Sequence, residues 1–319
     1  MEITVAKNKP LVSVIMPSYN TAHLIAGSLD SVLQQTYSDF EIIVVNDGSP
    51  DTTRLEMVLA PYLNRIIYVK QENKRAAGAR NTAIGKARGE FLAFLDSDDA
   101  WLPDHLASQI QLFEENPSLG LVYCNCVSVG DPTRDFMRRC PSDGEATFLA
   151  LAVEQCQIPV STVVARKSTL VRAGLFDENL ARCDDYDMWL RAAFHGTKIG
   201  YTERVQARVN GGRPGSLGVS HAKMAEAYWK ILEKADRTLP LTQKDRDVVQ
   251  KRAKEIHARY LLEEGKVQLR EGQLNEATKF LSEANSYLRR CKVSLVLFGL
   301  SIAPSSTRKL ISLVERIRD

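Results

Sequence analysis

The sequence predicts an α/β domain on a mainly parallel sheet, followed by a helical C-terminal region. Three observations carry that expectation. Short apolar runs of strand length alternate with helical segments through the first half of the chain. Polar turns rich in Asp, Asn, Ser and Gly follow the ends of several of those runs. From about residue 221 onward the pattern is helical, with breaks at Pro240 and Pro304.

The first run, residues 11–16 (LVSVIM), is continuously apolar up to Pro17, as a buried parallel strand requires. Asn20 is placed to cap a helix whose apolar positions Ile25, Leu29, Val32 and Leu33 fall at helical spacing. Residues 41–45 (EIIVV) form the second strand, closed by the turn 46–50. A helix over 55–63 leads to a strand at 66–69, and a helix near 76–88 leads to a strand at 91–95. That strand stops at four polar residues, Asp96-Ser97-Asp98-Asp99. Right-handed crossovers bring residues 17–20, 47–49 and 96–99 to one sheet edge, beyond the carboxyl ends of the strands, where such sheets bind ligands. Further on, 119–129 and 160–165 read as strands, 185–195 as a short helix, and the glycine-rich stretch 207–220 as a flexible loop. Residues 1–220 and 221–319 are the expected domains.

With 319 residues, 44% hydrophobic and 25% charged, the chain is neither collagen-like nor disordered, and it is long enough for a substantial core. Residues 221–319 carry 20 Lys+Arg against 13 Asp+Glu, whereas 1–220 carry 22 against 26. The net charge of +3 gives no reason to expect a nucleic-acid partner. The six cysteines lack zinc spacing and read as core thiols, with Cys124 and Cys126 on one face of a strand. No run of about 20 apolar residues predicts a membrane span, and the N-terminal segment has no apolar leader, so a cytoplasmic location is expected.

Several residue clusters suit chemistry. Asp96 and Asp98 crowd carboxylates at a strand end. They suit a hard divalent cation, and the other reading is a helix N-cap before residues 101–106. Asp47 is either an Asx-turn residue or an acceptor for a nucleobase N–H. Tyr19 is either a core residue or a flat face for a base. Arg80, with Gly78 and Asn81 near a helix start, would attract phosphate or pack beside a carboxylate. Asp184, Asp185 and Asp187 precede an apolar helix, either as caps favoured by its dipole or around a general base.

Taken together, PSYN (17–20), EIIVVNDGSPD (41–51), GARNTAIGKARGEFLAFLDSDD (78–99) and DDYDMWLR (184–191) resemble inverting family-2 glycosyltransferases of the GT-A fold, over roughly residues 10–220. The resemblance implies a nucleotide-sugar donor, UDP-linked, and an Mn²⁺ or Mg²⁺ cofactor. It implies that Tyr19 stacks on the base, that Pro17 and Ser18 shape its pocket, and that Asp47 hydrogen-bonds the base. Arg80 would hold Asp47 or the nucleotide. Asp96, Ser97 and Asp98 would form the DxD motif, with Asp96 near the ribose and metal, and Asp98 a metal ligand. Asp185 is the expected base and Asp184 its competitor, an Asp-Asp pair where relatives usually have Glu-Asp. Relatives often place a His before a Pro-Gly-Ser stretch. Here Arg213 stands nearest, and a guanidinium there would grip the diphosphate. The processive QxxRW motif is absent, which favours transfer of one sugar to a glycan or lipid-linked acceptor, as in surface-polysaccharide or glycolipid assembly.

The tail adds a further expectation. Residues 293–303 are apolar and lie between Arg289, Arg290, Lys292 and Arg308, Lys309, as in an interfacial membrane anchor. The other reading is a helical appendage packed on the catalytic body or on a second subunit of a homo-oligomer. Residues 260–284 resemble one tetratricopeptide-type helical hairpin. The competing function is a catalytically silent nucleotide-sugar-binding scaffold acting through this tail. A nucleotidyltransferase would need a Gly-rich, basic loop where this chain has PSYNTAH, and a dehydrogenase would need GxGxxG there.

Overall fold

The computed structural model describes residues 10–129, 145–210 and 221–306. The chain divides into two compact units, Met1–Ser216 and Leu217–Asp319.

In the first unit, β1 (Val12–Ser18), β2 (Phe40–Asp47), β3 (Ile66–Gln71) and β4 (Phe91–Phe94) pair in parallel. Helices α1 (Ile25–Leu33), α2 (Thr52–Leu59) and α3 (Arg75–Lys86) connect them. After the short β5 (Ala100–Trp101) and helix α4 (His105–Glu115) come β6 (Leu119–Val129), α5 (Phe148–Ala152), β7 (Val163–Arg166), α6 (Lys167–Arg172), α7 (Asp184–Phe194) and β8 (Lys198–Asn210). One sheet results, in the order β3-β2-β1-β4-β7-β6-β8-β5. It is not wholly parallel: β7 runs antiparallel to β4 and β6, and β5 antiparallel to β8.

Both faces of the first strands are covered, which explains their continuous apolar sequence. Val12, Val14 and Met16 pack with Ile25, Leu29, Val32 and Leu55 in one core, each fully removed from solvent. Burial of each such side chain contributes about 1.5–3 kcal/mol. Pro17 lies inside β1 because β4 pairs only as far as Ile15, so its missing N–H deprives no neighbouring strand.

Three sequence expectations are corrected. Asn20 does not cap α1; it adopts a left-handed conformation (φ 55°) and its N–H donates to Ser49 Oγ at 2.6 Å. Residues 207–210 are not loop, since β8 continues to Asn210 and pairs with β6 through residues of mixed polarity. Finally, residues 160–162 form a 3₁₀ turn before the strand begins at Val163. Cys124 and Cys126 are buried on β6, whereas Cys291 is exposed.

The second unit contains α8 (His221–Thr238), α9 (Gln243–Glu271), α10 (Leu274–Leu288) and α11 (Cys291–Ile302). Pro240 separates the first two, and Thr242 caps α9 by accepting from the Asp245 N–H. Gly272, at φ 85°, ends α9 in the left-handed conformation. The α9–α10 crossing is close at Gly265, where a Cβ would stand 2.8 Å from Leu281. Ala277 and Ala284 are fully buried there, as the helical hairpin requires. No helix among the described residues is long and apolar enough to cross a membrane.

Candidate active site

Because β2, β1 and β4 are adjacent and parallel, the turns that follow them share one edge of the sheet. Tyr19 follows β1 with 52% of its surface exposed, so it is not a core residue. Beneath it the turns are tied together by hydroxyls: Ser18 Oγ lies 3.0 Å from Thr21 Oγ1, which lies 2.8 Å from Ser97 Oγ. Ser18 and Ser97 are buried and serve as scaffold between the first and fourth turns.

Asp47 ends β2 and is also buried. One of its oxygens, Oδ1, accepts from Gln71 Nε2 at 2.7 Å and from the Lys74 N–H at 2.8 Å. Gly48 permits this arrangement, since it has φ 64° and a Cβ would stand 2.7 Å from the Asn73 nitrogen. The expected contact between Arg80 and Asp47 is therefore not the one formed.

Arg80 lies in the second turn of α3, only 4% exposed, and joins two other carboxylates. Nη1 donates to Asp184 Oδ2 at 2.6 Å, and Nη2 donates to Asp96 Oδ1 at 2.7 Å. Its guanidinium also lies over the Phe176 ring, 5.6 Å from the centroid. Burial opposes its charge, but Asp96, Asp184 and Asp185 outweigh that and hold its pKa above the ordinary value. Asn81 fixes the adjoining loop by an amide pair, Nδ2 to Phe176 O at 2.8 Å and Phe176 N–H to Oδ1 at 3.0 Å.

The aspartate turn is not the cap of α4. Asp99 turns inward and accepts from Ser161 Oγ at 2.5 Å and from the Asn210 N–H at 2.7 Å. Burial, together with the charges of Asp96 and Asp98, pushes its carboxyl up to about 8. Ser161 Oγ also accepts from the Asp96 N–H at 3.1 Å. The raised Asp99 pKa reflects the crowding of the Asp96 and Asp98 charges in this turn, and a divalent cation would offset those two. Among the described residues no group of three or more His, Cys, Asp or Glu surrounds a metal position. Ions such as Mg²⁺ bind through one or two carboxylates plus phosphates, so Asp98 with Asp96 fits that donor set.

The three acids at the start of α7 differ in their partners. Asp184 is buried against Arg80. Asp187 pairs with Arg191 at 2.7 Å, and that guanidinium reaches the carbonyls of Ala173 and Leu175. Asp185 is half-buried and accepts locally, from the Tyr186 N–H at 2.9 Å. Burial and the neighbouring Asp184 raise its pKa to about 6, against the opposing pull of Arg80. Arg213 lies outside the described residues.

Sequence reading missed Gln71, the Lys74 backbone, Ser161 and the inward role of Asp99. Their partners are 24 to 111 residues away, and no local motif marks such pairs.

Residues 13–175 match the family described as Glycosyl transferase family 2. The chain is 36% identical over 180 residues, 56% of its length and 68% of the relative's, to the UDP-Glc:alpha-D-GlcNAc-diphosphoundecaprenol beta-1,3-glucosyltransferase WfgD of Escherichia coli. Its fold resembles that of S. aureus TarS 1-349 in complex with UDP-GlcNAc, with a TM-score of 0.59 and 19% identity over 97% of this chain and 92% of that one. It also resembles the mannosyltransferase PcManGT from Pyrobaculum calidifontis in complex with GDP-Man and Mn²⁺, with a TM-score of 0.63 and 22% identity over 96% and 84% of the two chains. The aspartate turn, the Arg80 bridge and the α7 acids all lie on this GT-A-type sheet edge, and the chain belongs to glycosyl transferase family 2 as a glycosyltransferase.

Proposed function

We propose that the protein moves one sugar from a UDP-linked donor to a hydroxyl of a lipid-linked glycan acceptor, inverting the anomeric centre, with Asp185 as general base. The observation that carries this reading is the distribution of partners at α7. Arg80 occupies Asp184 and Arg191 occupies Asp187, while Asp185, raised to about 6, is ionised at pH 7 and suited to taking a proton. The donor and acceptor are supported by the printed substrate of WfgD and by the UDP-GlcNAc complex of TarS.

The donor nucleotide stacks on the exposed ring of Tyr19, while Asp47 accepts from its base. Pro17, Ser18 and Ser97 shape the pocket, and Arg213 engages the diphosphate. Asp96 and Asp98 would hold Mn²⁺ or Mg²⁺, which when bound neutralises charge on the departing nucleoside diphosphate. The Mn²⁺ named with PcManGT supports that cofactor. Asp185 removes the acceptor hydroxyl proton, and the oxygen attacks the anomeric carbon. The bond from that carbon to the diphosphate oxygen breaks in the same displacement, so configuration inverts. Assembly of a surface glycan on a lipid carrier is the role this substrate pair suits.

The test is nucleotide release from UDP-glucose, UDP-GlcNAc and GDP-mannose, with Mn²⁺ and with a chelator, alongside thermal shift. Metal-dependent stabilisation and turnover by a UDP-sugar is the expected result. Stabilisation by a nucleotide-sugar with no turnover would move the chain to the silent-scaffold reading, and response to none of the nucleotides would contradict both.

A further inference from the structure

Helix α11 is apolar on two faces, and among the described residues only one of them is covered. Val293 and Leu300 turn inward and join Leu261, Leu281 and Ala284 in the core of the helical unit. Leu295, Phe298 and Ile302 recur at helical spacing on another face and are 70%, 66% and 66% exposed. A soluble surface helix gains nothing by presenting three large apolar side chains in line to water.

The charge around this face narrows what covers it. Residues 284–314 contain five basic residues, Arg289, Arg290, Lys292, Arg308 and Lys309, and no Asp or Glu. Arg289, Arg290 and Lys292 are exposed at the start of the helix. A second copy of the chain would set these unneutralised basic groups against one another. An anionic bilayer neutralises them and accepts the apolar side chains at its headgroup boundary. With 12 residues, α11 is too short to span and suits lying in the interface.

We propose that α11 is a membrane-surface contact, with Leu295, Phe298 and Ile302 entering the headgroup boundary of an anionic bilayer and Arg289, Arg290 and Lys292 at its start engaging the phosphates. This inference is independent of the transfer reaction, because it is read by binding alone.

The experiment is flotation of the full chain with vesicles of phosphatidylglycerol and phosphatidylcholine, and with pure phosphatidylcholine vesicles. The variants are the pair Leu295→Ser and Phe298→Ser, and the pair Arg290→Gln and Lys292→Gln. Helical content by circular dichroism and size by gel filtration are recorded for each. The wild-type chain is expected to float with the anionic vesicles only. The apolar pair should lose roughly tenfold or more in binding, and the charge pair about fivefold for each residue replaced. Equal flotation of the apolar pair and the wild type would overturn the proposal, as would no flotation at all. A concentration-dependent dimer that the apolar pair abolishes, without vesicle binding, would assign the face to a second copy instead.

Discussion

At the start of α7 three carboxylates fall within four residues, and each meets a different partner. That difference yields the sharpest predictions. Replacing Asp185 by Asn should lower transfer by about 10²–10⁴-fold, the usual contribution of a positioned base, while nucleotide binding is retained. Wild-type turnover should fall as pH drops through about 6, because the carboxylate becomes protonated and can no longer accept the hydroxyl proton. A pH profile of kcat that stays flat between pH 5 and pH 7, as a rough window around that value, would contradict the assignment. Asp184→Asn should behave differently. It weakens the Arg80 bridge, so its main loss is in melting temperature, with measurable turnover remaining. Arg80→Ala strands two carboxylates, of which Asp184 is buried and Asp96 is a third exposed, and should cost about 3–5 kcal/mol in denaturant unfolding.

The turns and helix crossings set where those side chains stand. Gly48 holds a left-handed conformation against the Asn73 backbone, and the next residue of that segment, Lys74, donates its N–H to Asp47. Gly48→Val should therefore raise the nucleotide Kd, read by calorimetry, more than it lowers stability of the remaining sheet. In the helical unit Gly265 meets the side chain of Leu281, so Gly265→Val should overpack the hairpin by about 1–3 kcal/mol, seen as a lowered thermal transition. The elements near the site were largely legible because each had a local cause. Residues 11–16, 41–45 and 91–95 are apolar runs that a two-sided sheet demands, and the sequence pattern locates the turns that follow them. What was not legible depended on distant partners. Asn20 looks like a cap but is held by Ser49, and residues 207–210 run into a glycine-rich stretch yet extend β8 through their pairing with β6. Asp99 adjoins the Asp96–Asp98 pair in the sequence, yet it faces Ser161 and Asn210.

For the whole molecule, the sequence marks the acids of α7 as a cluster but not the separate partner that each one meets. The DDYDMWLR segment names Asp184 and Asp185 together, and only the fold brings Arg80, 104 residues away, onto one of them. The central claim is that this division makes Asp185 the base of a UDP-sugar transferase. The most direct measurement follows UDP release from the UDP-sugar that binds, with a polyprenyl-diphosphate-linked acceptor and Mn²⁺, in wild type and Asp185→Asn. UDP affinity is measured on the same samples. The account predicts that the variant binds UDP as the wild type does and loses transfer by about 10²-fold or more. Turnover near the wild-type rate with unchanged UDP affinity would contradict it.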